Sequence, residues 1–113
     1  MMLDWKTYLT EVKSRIAGIA KMQPDLVKGY QMISGSKPAN PVLDAKTREL
    51  IALAVAITTR CDGCISVHVE AAKRHGASRD EILEALAVSV GINTGTALIF
   101  SARTMDAFDN ISV

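Results

Sequence analysis

Between Glu84 and Arg103 the chain carries no charge at all, and this run from Ala85 to Ala102 constrains the fold more than any other feature. A stretch so apolar must leave water, either in lipid or inside protein. Crossing hydrocarbon takes about 20 predominantly apolar residues. This run is interrupted by Ser89, Gly91, Asn93, Thr94, Gly95, Thr96 and Ser101. It is therefore read as two helices meeting at Asn93–Gly95, buried in protein and not in a membrane. Both are apolar on more than one face and rich in Ala, Gly and Ser. A chain of 113 residues is enough for one domain over residues 1–113 but cannot surround two such helices by itself. The expectation is a homo-oligomer.

The rest of the chain repeats the helical period. Asp4 is placed to cap a helix from Trp5 to about Met22, with Trp5, Tyr8, Leu9, Val12, Ile16, Ile19 and Ala20 on one face. Trp5 and Tyr8 are expected in the core, with Met22 and Met32 filling gaps. Pro24 suits the first turn of a short second helix ending at Gly35. The turn-rich segment from Gly35 to Pro41 follows, and Asp44 caps a third helix through Thr58. A fourth begins around Cys61 to Gly63 and ends at Gly76. Ser78 and Glu81 form a capping box for a fifth, and a sixth runs from about Gly95 to Phe108. No stretch alternates as a strand does. The fold expected is all-α, a compact bundle of about six helices.

Charge excludes some functions. Thirteen basic and twelve acidic residues are intermixed, with a net charge of +1. No basic face is available for a phosphate backbone, so nucleic acid is not an expected partner. Asp4 and Lys6 break up the N-terminus before an apolar signal segment could form, and a cytoplasmic protein is expected. Two cysteines are too few for a disulfide-stapled secreted scaffold.

Those cysteines carry the candidate chemistry. Cys61, Cys64 and His68 stand at i, i+3 and i+7, within about 60° of arc on one helix face. At a helix start, free amides and the macrodipole favour a thiolate. Arg60 adds positive charge there. Asp62 is either an N-cap acceptor or a local repulsion. The two thiols can close a disulfide, and His68, four residues beyond Cys64, can accept and return a proton. If the third and fourth helices form a hairpin, Glu49 lies opposite about Ala71, one turn from His68. It can then orient the imidazole or take its proton through a water. A metal half-site is the competing reading. Only three ligands converge, however, and His75 lies about 20 Å along the helix from Cys61. Redox chemistry with no metal and no cofactor is preferred.

The segment E-L-I-A-L-A-V-A-I-T-T-R-C-D-G-C-I-S-V-H, Glu49 to His68, resembles the alkylhydroperoxidase-D-like branch of the carboxymuconolactone decarboxylase superfamily. That branch carries Glu, eleven residues, C-x-x-C, three residues and His, and Glu49, Cys61, Cys64 and His68 match each position. The resemblance extends over about residues 41–105. It implies an all-helical fold, trimers or hexamers, and reduction of hydroperoxides at the expense of an external thiol or dithiol. It also implies Cys64 as the attacking thiolate, Cys61 as the resolving thiol, and His68 with Glu49 as a proton relay. Well-studied peroxidases of this kind have a histidine before the second cysteine, where this chain has Gly63. That departure implies slower peroxidase turnover or a role in general disulfide exchange. Two alternatives stay open. One is lactone decarboxylation or isomerisation through His68 and Glu49, and the other is a non-catalytic redox-sensing oligomer.

Overall fold

The computed structural model describes residues Met1–Val113 as five α-helices and no strand. Helix α1 spans Trp5–Met22, α2 Pro24–Ser34, α3 Ala45–Thr59, α4 Asp62–Arg74 and α5 Arg79–Asn110. The starts follow from local chemistry. The Asp4 carboxylate accepts the Thr7 N–H at 3.1 Å, and Asp44 accepts that of Thr47 at 2.7 Å. Each satisfies an amide that the helix itself leaves unpaired. Pro24 opens α2. The capping box of α5 is reciprocal, with Ser78 Oγ accepting from Glu81 N and Glu81 Oε2 accepting from Ser78 N.

Helix α3 is the hub. It forms a tight hairpin with α4 on one side and packs along α5 on the other, while α1 lies on α4 and α2 touches α1 alone. The buried residues are Leu53 and Ala56 of α3, Ser66, Ala71 and Ala72 of α4, and Ser89 of α5. Five of these six are alanine or serine, so the helices approach closely and the core is thin. Trp5 and Tyr8, expected in the core, are half-buried and meet edge to face at 6.1 Å. Met22 and Met32, expected to fill gaps, are exposed.

The number of helices differs from expectation. The predicted fifth and sixth helices are one helix of 32 residues, with no break at Asn93–Gly95. The polar residues that suggested a junction are absorbed by the helix. Asn93 Nδ2 donates to the Ser89 carbonyl, and the hydroxyls of Thr94, Thr96, Ser101 and Thr104 donate to the carbonyls four residues back. Gly91 and Gly95 each cost about 1 kcal/mol against alanine, but no cap or proline competes to end the helix. Continuous, α5 is long and apolar enough to cross a membrane by length and composition.

Candidate functional site

The turn between α3 and α4 places both cysteines. Arg60 ends α3 in the left-handed region, the only non-glycine residue of the chain with positive φ (55°). The Cys61 N–H then bonds the Ala56 carbonyl at 3.1 Å, a helix-ending bond of Schellman type. This reverses the chain within one residue, so Cys61 becomes the N-cap of α4. Its Sγ accepts the Cys64 N–H at 3.1 Å. The two cysteines are joined in a disulfide with Cα atoms 5.2 Å apart. The cap position that serine or aspartate usually fills is thus held by a disulfide sulfur. Once the disulfide is reduced, the same amide and the α4 dipole favour negative charge on that sulfur. Asp62, left open between two readings, is not the cap. It is an exposed acid in the first turn.

The α3–α4 hairpin also brings His68 to Glu49. His68 Nδ1 lies 2.6 Å from Glu49 Oε2, with side chains only 25% and 20% exposed. The contact is direct, where the sequence allowed for a bridging water. An ionised carboxylate only accepts, so Nδ1 carries the proton and Nε2 of the neutral ring is left as an acceptor. No hydrogen bond joins His68 to either sulfur of the disulfide.

Gly63 looks toward α1. A Cβ built there would stand 3.8 Å from Val12 Cγ1 and 3.9 Å from Val12 Cγ2. The position therefore tolerates a methyl, but a longer side chain must find its way around Val12. Two concavities lie elsewhere. One of about 290 Å³ involves Leu43, Asp44 and Arg48, and one of about 400 Å³ lies between α1 and α4. Neither is lined by Cys61, Cys64, His68 or Glu49.

The profile described as the carboxymuconolactone decarboxylase family matches residues 24–107, most of the chain. The chain belongs to that family. An uncharacterized protein of Haemophilus influenzae is 44% identical over 108 residues, covering 96% of each chain. Another, of Cupriavidus necator, is 30% identical over 112 residues and covers 99% of each. A carboxymuconolactone decarboxylase family protein of Legionella pneumophila, solved in its apo form, superposes with a TM-score of 0.73 at 30% identity. It covers 96% of this chain and 97% of its own.

In this family member, one feature near the site escaped the sequence reading. Asn93 Nδ2 donates to Thr58 Oγ1 at 2.9 Å, Thr58 Oγ1 lies 3.0 Å from Ser89 Oγ, and Ser89 Oγ donates to the Ala54 carbonyl at 2.7 Å. This directional chain pins α5 to the last turn of α3, two residues before the Arg60 reversal that positions Cys61. Its only sequence trace is the i, i+4 pair of Ser89 and Asn93 within an apolar run. That spacing puts both on one helix face.

Proposed function

We propose that this carboxymuconolactone decarboxylase family protein is a thiol-dependent peroxidase and disulfide oxidoreductase, cycling Cys61 and Cys64 between dithiol and disulfide. One observation carries the reading: the Cys61–Cys64 disulfide caps α4 one turn before a histidine oriented by a carboxylate. In the reduced protein, His68 takes the Cys64 proton, and the thiolate attacks the terminal oxygen of a hydroperoxide. The O–O bond breaks, the alcohol leaves with a proton, and Cys64 becomes a sulfenic acid. The Cys61 thiolate attacks that sulfur and hydroxide departs, protonated to water, leaving the disulfide. An external thiol or dithiol returns two electrons and two protons. Glu49 fixes the ring and offsets the charge of the imidazolium as it forms.

A reducing cytoplasm would supply such a reductant, and the working form is a homo-oligomer. Gly63 leaves the attacking cysteine without a preceding histidine, so the relay consists of His68 and Glu49 alone. The test is steady-state loss of an organic hydroperoxide in the presence of a dihydrolipoamide-type dithiol. Turnover by the native protein and none by the Cys61→Ser/Cys64→Ser double variant supports the reading. The lactone reading also uses His68 and Glu49 but needs no thiol. Conversion of an unsaturated lactone acid by that same double variant would replace the peroxidase reading with it.

A further inference from the structure

The distal half of α5 has nothing of its own chain to lie on. Helix α5 touches only α3, and Asn93 is its last residue bonded to another element. From Thr94 to Asn110 the helix runs on for about 25 Å. Leu98 and Phe108 are 73% and 77% exposed, and Ile99, Phe100 and Met105 are exposed with them. An isolated helix of this length is marginal in water. Its charges make matters worse, because Asp106 and Asp109 sit at the negative end of the dipole and the last turn has no basic residue.

The exposed surface measures how much is missing. The chain presents 9191 Å², whereas a compact monomer of 12.2 kDa presents about 6,100 Å². The radius of gyration is 18.5 Å, against about 13 Å for a compact chain of this length. The surplus of about 3,100 Å² exceeds the roughly 800 Å² per partner of a stable interface.

A matching surface lies between α1 and α4. The groove of about 400 Å³ has Trp5, Leu9, Ile65 and Val69 among its walls, with Lys6, Lys73 and the acid Glu70, neutralised by Lys13, also lining it. Lys13 pairs with Glu70 at 2.8 Å, but neither Lys6 nor Lys73 joins an ion pair. An apolar trough with two free cations fits an apolar helix end with two free acids. The chain's own α5 does not reach it, since α5 contacts neither α1 nor α4.

We infer that the distal end of α5, carrying Met105, Asp106, Phe108 and Asp109, docks in the α1–α4 groove of a second copy. Met105 and Phe108 fill the trough, while Asp106 and Asp109 meet Lys6 and Lys73. The exchange rests on the homo-oligomeric reading above but not on the thiol chemistry. It covers the face of α4 next to the disulfide, so the α4 that carries the cysteines is braced by another copy.

Sedimentation velocity on the full chain, with circular dichroism to check folding, tests this. The native protein is expected to sediment as an oligomer at micromolar concentration. Lys6→Glu/Lys73→Glu should weaken association at least tenfold without loss of helix content. Adding Asp106→Lys/Asp109→Lys to that chain should restore it, which a merely misfolded variant would not do. A folded native monomer overturns both the exchange and the homo-oligomeric reading. A native oligomer unmoved by the first pair of changes, or not rescued by the second, overturns the exchange alone. Flotation of a native monomer with phosphatidylcholine vesicles would assign the arm to lipid and also overturn the exchange.

Discussion

His68 Nδ1 and Glu49 Oε2 stand 2.6 Å apart across the α3–α4 hairpin, nineteen residues apart in sequence. The bond fixes which imidazole nitrogen is free, and it depends on the whole hairpin and not on one helix. Glu49→Gln keeps a hydrogen-bonding group but removes the charge. It should slow thiol oxidation by about 10–100-fold, as changes to an orienting partner do. His68→Ala should cost about 10²–10⁴, the worth of a positioned general base. Stopped-flow oxidation of the reduced proteins across pH checks both.

The Lys46–Glu81 pair gives stability a predictable pH dependence. Lys46 Nζ reaches Glu81 Oε1 at 2.8 Å, tying α3 to the start of α5. The hydrogen bond from Lys46, followed by the Ser78 amide, holds the Glu81 carboxyl below its ordinary value of 4.5. A depressed carboxyl contributes stability that is present above the ordinary value and lost as pH falls through the folded one. Lys46 is raised above 10.5, chiefly by the hydrogen bond to Glu81. Its contribution is therefore complete below that value and lost as pH rises through the folded one. Urea midpoints measured between pH 3 and 7 should fall less steeply on the acid side in Lys46→Ala than in the native protein.

Gly76 isolates a backbone effect. It follows α4 with φ of 84°, and a Cβ added there meets nothing within 4 Å. Gly76→Ala should therefore cost about 1–2 kcal/mol from the left-handed backbone alone. Gly18→Ala, in the interior of α1 and equally uncrowded, should be neutral or stabilising by about 1 kcal/mol. Thermal unfolding of the two variants makes the comparison.

The seam between α3 and α5 is predicted to matter beyond its size. Ser89→Ala removes the donor to the Ala54 carbonyl and strands part of the Thr58–Asn93 chain, at a cost of about 1 kcal/mol. Ser89→Leu forces a larger group into a buried position and should cost about 1–3 kcal/mol. Denaturant unfolding monitored by circular dichroism reads both.

Much of this architecture was legible because helix ends are local chemistry. Asp4, Asp44, Pro24, Gly76 and the Ser78–Glu81 box each act within one turn, so their spacing alone marks a boundary. The Cys61, Cys64, His68 series was legible for the same reason, being one face of one helix. What depended on partners was not. Asn93 looks like a break when its neighbours are unknown, but its side chain is held by Ser89 within the helix and by Thr58 from outside. Arg60 in a conformation that glycine favours carried no signature, and Cys61 as the cap followed from it. The exposure of Met22 and Met32 reflects how little of α1 and α2 the chain itself covers.

The fate of the two thiols tests the proposed cycle most directly. Reduced protein, freed of reductant, is titrated anaerobically with an organic hydroperoxide while free thiols and product alcohol are counted. The proposed cycle predicts that two thiols disappear for each alcohol formed, ending in a Cys61–Cys64 disulfide that peptide mapping recovers, with no alcohol formed by Cys64→Ser. Hydroperoxide that persists while both thiols remain free, or alcohol formed equally well by Cys64→Ser, would contradict it.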